Sequence, residues 1–181
     1  MTNKRIKGNK EIFAIEYEFF NESCETEIAL YVEGINILAF KKNEKLLTTR
    51  WNIDELALWL RNFIDKMKED PFPFDCKGYY AAQKDDDARN YDTDDEEMFD
   101  CYYQKLYEWN IRHRWRVASS GAILADVFFQ MVGNNVEISW DNRSMYNDVT
   151  FLSLNGGTIV SKEYFIFCVD SFLKEYAMHW F

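Results

Sequence analysis

Residues 123 to 141 read Ile-Leu-Ala-Asp-Val-Phe-Phe-Gln-Met-Val-Gly-Asn-Asn-Val-Glu-Ile-Ser-Trp-Asp, and this stretch decides the fold. Residues 123 to 132 form an apolar run rich in strand-forming side chains. Gly133-Asn134-Asn135 is a turn signal, and residues 136 to 140 then alternate apolar with polar side chains. The pattern predicts an antiparallel β-hairpin whose second strand has one polar face, formed by Glu137, Ser139 and Asp141.

The rest of the chain extends this plan in both directions. Further strands are predicted over residues 10–20, 26–33, 35–40 and 148–154, with a turn at Asn155-Gly156-Gly157. Helices are predicted from Asn52 to the prolines at 71 and 73, from Thr93 to about Trp115, and from Ser161 to about His179, with a loop over 74–92. The predicted fold is α+β, with antiparallel β-meanders packed on about three helices.

The middle helix carries two aromatic stripes, so we expect it to be central and covered on two sides. Trp51-Asn52 and Val160-Ser161 are followed by similarly spaced apolar residues. This echo is compatible with two β-meander-plus-helix halves joined by the central helix. We expect residues 1–181 to form a single α+β domain.

Composition limits the class of protein and of partner. The 181 residues are 48% hydrophobic and 18% aromatic, which excludes global disorder, and the net charge of −10 disfavours phosphate backbones and anionic lipid. We therefore expect a protein partner with a basic surface, no direct nucleic-acid ligand and no membrane. Without an apolar leader or C-x-x-C pairs, the chain is expected to be cytoplasmic, with Cys24, Cys76, Cys101 and Cys168 as buried free thiols.

An acidic segment, residues 85–97, contains eight acids and one arginine and so carries −7 of the −10. Its spacing fits a calcium loop poorly, which leaves docking of a basic partner, local imitation of phosphates, or stabilisation of a helix start beside a solvated loop. The candidate partner-binding residues of this segment are Asp85, Asp86, Asp87, Asp92, Asp94 and Asp95.

A basic aromatic segment, residues 109–116, places arginines beside tryptophans. Such a composition is typical of surfaces that bind nucleic acid or carboxylates, but the arginines can also pair with acids of the same molecule or meet a helix C-terminus. The candidate partner-binding residues here are Arg112, Arg114, Trp115 and Arg116, to which the strand edge adds Glu137 and Asp141. His113 lies on an apolar stripe and is expected to be a core histidine.

The sequence contains few of the motifs that are typical of enzymes. Asp126 followed by Glu137-Ile138-Ser139 resembles the carboxylate pattern of magnesium-dependent nucleases, with Ser139 in the position that a lysine should hold. There is no glycine-rich phosphate loop, and the two histidines make a histidine-rich zinc site hard to build. The sequence predicts no cofactor, no bound metal and no catalytic residues, with a degenerate nuclease using Asp126 and Glu137 as the alternative.

Three motifs follow one another in the second half of the chain: Trp109-x-x-x-His113-x-Trp115-Arg116, Gly121-x-Ile123-Leu124-x-Asp126-Val127-x-Phe129 and Val132-Gly133-x-x-Val136-Glu137-Ile138-Ser139-Trp140-Asp141-Asn142. The upstream Trp51…Leu56…Trp59-Leu60 helix, Pro71-Phe72-Pro73 and Tyr91-Asp92-x-Asp94-Asp95-Glu96-Glu97 belong to the same pattern. Together these motifs cover residues 50 to 142 and resemble a module of bacterial proteins from genome-defence and mobile-element neighbourhoods. In some such proteins the module is fused to a repressor-cleaving zinc metallopeptidase, whose His-Glu-x-x-His motif this chain lacks.

Together these observations predict a non-enzymatic, macromolecule-binding protein of a bacterial defence or phage-conflict system. It would act as an inhibitor, immunity protein, sensor or adaptor. A phage-encoded acidic mimic of nucleic acid is a further alternative to the degenerate nuclease.

Overall fold

The computed structural model describes residues 4–20, 25–118, 121–143 and 145–180. Its strands are β1 (Arg5–Asn9), β2 (Phe13–Phe19), β3 (Thr26–Val32), β4 (Ile35–Asn36), β5 (Phe40–Lys42), β6 (Lys45–Leu47), β7 (Thr49–Trp51), β8 (Val127–Val132), β9 (Asn135–Asp141), β10 (Thr150–Phe151) and β11 (Asn155–Ser161). Its helices are α1 (Asp54–Asp65), α2 (Ala81–Ala88), α3 (Glu96–His113) and α4 (Lys162–Trp180), with a 3-10 turn over Trp115–Ala118. The predicted α+β class, with antiparallel strands packed on helices, is confirmed.

The N-terminal sheet is an antiparallel meander in the order β1-β2-β3-β4, and β7 also pairs with β3. Phe13, Ile15 and Tyr17 alternate along β2 and are buried against α4, where the Phe13 and Phe165 rings stack with centroids 5.3 Å apart. The polar strand β1 escaped prediction because its side chains lack apolar alternation and only its pairing with β2 shows it to be a strand. A small third sheet joins β10, β5 and β6.

The predicted hairpin is confirmed as β8 and β9, joined through Gly133 with φ +58°. The predicted turn at Asn155-Gly156-Gly157 is wrong, because these residues begin β11 and pair with the end of β9. The glycines are needed for close packing instead. A Cβ on Gly156 would lie 2.5 Å from the Trp140 ring, and one on Gly157 would lie 2.6 Å from the Tyr80 ring.

The hairpin is buried on both of its faces. Val127, Phe129 and Met131 alternate toward the main core, which they share with Val136 and Ile138 of β9. The opposite face carries Phe128 and Gln130 with Glu137 and Ser139, so the alternation was predicted correctly. That polar face is nevertheless buried, because α2 and the C-terminal end of α3 cover it.

The flanking helices begin close to their predicted starts. In α1, the Asn52 side chain accepts the Asp54 N–H at 3.0 Å, and in α4 the Ser161 hydroxyl accepts the Tyr164 N–H at 3.3 Å. Helix α1 ends at Asp65, so the prolines at 71 and 73 do not end it. Helices α1 and α4 pack together, and each follows an antiparallel sheet, although the two sheets differ in strand number.

Two expectations about the middle of the chain are corrected. The predicted loop over 74–92 contains α2, and α3 begins at Glu96 with Asp95, not Thr93, as its N-cap. Helix α3 is not central either, since its buried residues, Leu106, Trp109, Asn110 and His113, all lie in its C-terminal half. The aromatic rings nearer its start pack on the 70–91 segment or face solvent. No second layer of strands or helices is therefore needed to cover this part of α3.

The exposure of each cysteine depends on its position in the fold. Cys168 of α4 is buried and free, as expected, whereas Cys101 is exposed on α3 and Cys76 is half-buried. Cys24 lies outside the described residues. No helix in the described ranges contains an apolar stretch long enough to cross a bilayer.

Trp115 was predicted to bind a partner, but it is a core residue with no exposed surface, and its Nε1 donates to the Leu56 carbonyl at 3.1 Å. We expect Trp115→Ala to lower the free energy of unfolding by about 3–5 kcal/mol through the cavity and the lost hydrogen bond. Trp51→Ala, at a half-exposed tryptophan of β7, should cost about 1 kcal/mol or less. Urea unfolding monitored by circular dichroism measures both, and equal losses would contradict this assignment.

Candidate functional site

The structure divides the acidic segment into two parts. Asp85, Asp86 and Asp87 lie on α2, whereas Asp92 to Glu97 form the connection to α3 and its first turn. The division follows from a helical pattern that the sequence analysis missed. Ala81, Ala82, Asp85 and Ala88 share the buried face of α2, and their small side chains let the helix approach the β8–β9 hairpin.

Asp85 is therefore not available to a partner. Its side chain is buried, 3% exposed, and accepts hydrogen bonds from Arg89 Nε at 2.7 Å and from Asn110 Nδ2 at 2.9 Å. The expectation of a water-facing carboxylate at this position is wrong, because the carboxylate joins α2 to α3 inside the molecule. Asp87 is half-buried and accepts the Lys77 N–H at 2.9 Å, so it too has a structural partner.

The N-terminus of α2 sits on the polar face of β9. Glu137 Oε1 accepts the Ala81 N–H at 2.6 Å, and the Ser139 hydroxyl accepts the Ala82 N–H at 3.2 Å. These side chains take up N–H groups that have no partner within a helix. Glu137 is buried by this contact, so the prediction that it binds a partner is wrong.

The geometry also opposes the nuclease alternative. Asp126 is held in a bidentate ion pair by Nε and one terminal nitrogen of the Arg114 guanidinium. Glu137 pairs with Gln130, four residues from Asp126 along the strand direction, which corresponds to roughly 13 Å and is too far for one shared metal ion. Within the described ranges, no group of three histidine, cysteine, aspartate or glutamate side chains is placed to hold a metal.

Four arginines and four aspartates meet in one cavity of about 560 Å³, which we name the arginine–aspartate cleft. It combines residues from α2, from the end of α3 and the following 3-10 turn, and from the open end of the hairpin, where β8 begins and β9 ends. The charged residues that line it are Arg89, Arg114, Arg116, Arg143, Asp85, Asp86, Asp126 and Asp141. Six of these eight residues were candidates from their sequence patterns, and Arg89 and Arg143 were not.

Most charges in the cleft neutralise one another. Arg89 pairs with Asp85 and Arg114 with Asp126, while Arg143 pairs with Asp141 and lies 3.0 Å from Asp86. The missed arginines were visible in the sequence as an i, i+4 pair with Asp85 and as a residue two positions after Asp141. Within the cleft, therefore, Asp85, Asp86 and Asp141 each have an arginine of this chain as partner.

Arg112, which was predicted to bind a partner, lies outside the cleft, beside a second cavity of about 510 Å³. That cavity has an apolar floor formed by Trp59, Phe63 and Met67. Asp70 accepts hydrogen bonds from Arg112 Nε at 2.7 Å and lies 2.9 Å from His113 Nε2. Burial opposes ionisation of Asp70, but these two hydrogen bonds outweigh it and lower the pKa of Asp70. His113 is buried, with Nδ1 2.8 Å from the Phe129 carbonyl oxygen, and this agrees with a core histidine.

Arginines of the basic aromatic segment thus form ion pairs within the molecule, which agrees with the interpretation that they pair with acids of the same chain. Arg112 and Arg114 of this segment pair with Asp70 and Asp126, however, and the contact with the acidic segment is the hydrogen bond from Asn110 to Asp85. Arg116 is the exception among its arginines, since no ion pair with a carboxylate involves it in the described part of the chain.

A second charged surface remains open to solvent, and we name it the acidic helix face. It consists of Asp92, Asp94, Asp95, Glu96, Glu97 and Asp100, all of which are exposed. Asp95 accepts the Met98 N–H at 3.0 Å as the N-cap of α3. Over the described ranges none of the six carboxylates lies in an ion pair, and the apolar side chains of Met98, Phe99 and Tyr107 are exposed on the same helix.

No protein-family model, no curated protein and no solved structure matches this chain. The resemblance of residues 50 to 142 to a module of bacterial defence proteins therefore stays a prediction.

Charge reversal separates the two halves of the acidic segment. We expect Asp85→Lys to lower the free energy of unfolding by at least about 3 kcal/mol, because it leaves Arg89 and Asn110 facing a buried cation. Asp94→Lys, at an exposed carboxylate without an ion pair, should change it by about 0.5 kcal/mol or less. Urea unfolding at neutral pH measures both, and an unaffected Asp85→Lys variant would show that the buried network does not form.

The pKa of Glu137 is raised by burial, and the Ala81 N–H and the Ser139 hydroxyl oppose this only in part. A carboxyl whose pKa is higher in the folded state contributes its stability at low pH and loses it as the pH rises through that pKa. We therefore expect Glu137→Gln to match the wild type at acidic pH and to exceed it by up to about 1 kcal/mol at pH 8. Glu137→Ala, which removes the acceptor, should cost about 1–3 kcal/mol at both values. Denaturant titrations across this pH range measure the stability of both variants. A difference between Glu137→Gln and the wild type that does not change with pH would contradict the raised pKa of Glu137.

Proposed function

We propose that this chain is a non-enzymatic binding protein that docks a protein partner with a basic surface on its acidic helix face. The observation that carries the proposal is the set of six exposed carboxylates at residues 92–100, none of them in an ion pair within the described ranges. The candidate acids of α2, Asp85, Asp86 and Asp87, each have a partner within the molecule.

The charge of this surface exceeds what helix capping requires. Asp95, Glu96 and Glu97 stabilise the positive end of α3, an effect confined to the first turn. Asp92 and Asp94 precede the cap and Asp100 follows the first turn, so capping does not account for them. A local concentration of negative charge accelerates encounter with a cationic surface and orients it.

The helix that carries the acidic face is firmly held on its other side. The Tyr103 hydroxyl lies 3.0 Å from the Arg89 carbonyl oxygen and 3.1 Å from that of Tyr91, so its one proton is shared between the two acceptors. The Tyr102 ring stacks on that of Tyr91 with centroids 4.0 Å apart. A rigid helix start presents its carboxylates in a fixed arrangement, which reduces the entropy lost on binding. The exposed Met98 and Phe99 add apolar contact area between the charges.

The biological context of the proposal rests on the resemblance alone. The Tyr91 to Glu97 part of that resemblance falls on the acidic helix face, which supports a role for this surface in a bacterial defence or phage-conflict system. A nuclease is disfavoured because Asp126 and Glu137 are engaged elsewhere and apart. Mimicry of nucleic acid is disfavoured because exposed carboxylates cluster only at one helix start among the described residues, whereas others such as Glu44, Asp65 and Asp75 are scattered singly.

The test is a triple variant, Asp94→Lys, Glu97→Lys and Asp100→Lys, compared with the wild type. A matched control reverses three exposed acids elsewhere, Glu44, Asp65 and Asp75, to lysine, so that both variants have the same net charge. Proteins retained from the source organism's lysate by the wild type are identified by mass spectrometry, purified and titrated by calorimetry against all three chains. We expect the acidic-face variant to bind at least about 100-fold more weakly and the control to bind within about threefold.

The salt dependence supplies a second readout. Raising the ionic strength should weaken binding to the wild type steeply, because exposed charges are screened. Equal affinities of the purified partner for all three chains, with thermal stabilities unchanged, would place the binding surface elsewhere. A partner that binds nucleic acid and is displaced by it would favour mimicry over simple docking.

A further inference from the structure

Arg116 differs from the other arginines of the arginine–aspartate cleft. Those three each form an ion pair with a carboxylate, whereas Arg116 lies in no ion pair in the described part of the chain and its charge acts on Asp126 only at longer range. Its Nε is buried and, within those same ranges, makes no hydrogen bond. A buried N–H without an acceptor costs free energy, and Arg116 also lines the polar cavity, where an oxyanion would supply a counter-charge that the chain does not place in direct contact with it.

The surroundings hold Arg116 in position. Its guanidinium carbon lies 5.5 Å from the centroid of the Tyr146 ring, within the range of a cation–π contact. That ring is itself anchored, because the Tyr146 hydroxyl accepts the Leu124 N–H at 3.2 Å and lies 3.3 Å from the Leu124 carbonyl oxygen. A guanidinium stacked on a fixed ring is pre-organised to present its planar edge.

The arginines beside it are equally constrained. Arg114 is tied to Asp126 by two parallel hydrogen bonds, and Arg143 is tied to Asp141. The acidic groups of the cleft are thus already occupied, so a cationic ligand would have to break an existing ion pair. An anionic ligand would instead meet the Arg116 guanidinium, which lies in no ion pair among the described residues, and the cavity of about 560 Å³ is within the usual range for small-molecule sites.

We infer that the arginine–aspartate cleft binds a small molecule through an oxyanion, either a carboxylate or a phosphate monoester, seated on Arg116. The guanidinium offers two donors in the geometry that such oxyanions accept. The site is separate from the acidic helix face, so this inference goes beyond the proposed function and does not depend on it.

The first experiment uses inorganic phosphate and acetate as probes, titrated calorimetrically into the purified full chain at constant ionic strength. We expect saturable binding of at least one probe, and stronger binding of phosphate or of acetate identifies a phosphoryl or a carboxylate ligand respectively. Arg116→Gln should weaken it by about 10- to 100-fold, the loss expected for a charge-assisted hydrogen bond. Arg116→Lys should retain part of the affinity, because it keeps the charge but loses the planar fork.

The matched control is Arg50→Gln. Arg50 also stacks on an aromatic ring, that of Phe20, and is half-exposed on β7, outside the cleft. Its replacement removes the same charge and should leave anion affinity unchanged. An equal loss of anion affinity in both variants would show that the effect comes from net charge alone, and it would contradict a binding site at Arg116.

A gain-of-affinity variant keeps the inference testable if Arg116→Gln fails to fold. Asp86 lines the rim of the cleft with its side chain 60% exposed, and Asp86→Asn removes negative charge without breaking the buried pairs. We expect this variant to bind the probe several-fold more tightly than the wild type. Absence of saturable binding by both probes up to tens of millimolar, in the wild type and in Asp86→Asn, would refute the site.

Discussion

The β8–β9 hairpin is buried on both faces, and the rest of the structure depends on this constraint. One face supplies Phe129 and Ile138 to the main core shared with α4 and the N-terminal sheet. The other face is covered by α2, whose small residues Ala81 and Ala82 pack with Trp109 and Phe128. A hairpin covered on both sides cannot leave its polar side chains unpaired, because each buried polar group without a partner costs free energy. Glu137 and Ser139 therefore receive the first N–H groups of α2.

That contact determines where the charges of the chain lie. Anchoring α2 on β9 draws Asp85 into the interior, where Arg89 and Asn110 bind it. It also brings α2 beside the basic residues that follow α3, so that acids and arginines from distant segments line one cleft. The carboxylates after α2 have no such contact and stay in water. One packing event thus separates a continuous acidic run into a structural half and an open half.

The two surfaces that result differ in their chemistry. The arginine–aspartate cleft is nearly neutral, with charges fixed by reciprocal ion pairs, and its one unmatched charge is a single guanidinium among the described residues. The acidic helix face has unpaired charges of one sign beside exposed apolar side chains. Surfaces of the first kind select small ligands by geometry, and surfaces of the second kind attract large partners over distance. Their separation allows the two proposals to succeed or fail independently.

Local patterns in the sequence were sufficient for much of the fold. The hairpin with its turn at Gly133, the strand β3 and the start of α4 at Ser161 were all predictable, because alternation, turn chemistry and capping act between neighbouring residues. The strand β1 and the entry of Gly156 and Gly157 into β11 were not, since their strand character comes from pairing with partners elsewhere in the chain. The same holds for the charged residues of the cleft. Sequence composition identified Asp85, Arg114, Arg116 and Asp141 as candidates. Only tertiary packing decided which of them form ion pairs, which are buried and which remain exposed. The physical reason is that the residue type alone determines the sign of a side chain's charge. The solvation and the ion-pair partner of that side chain depend on which distant segment packs against it.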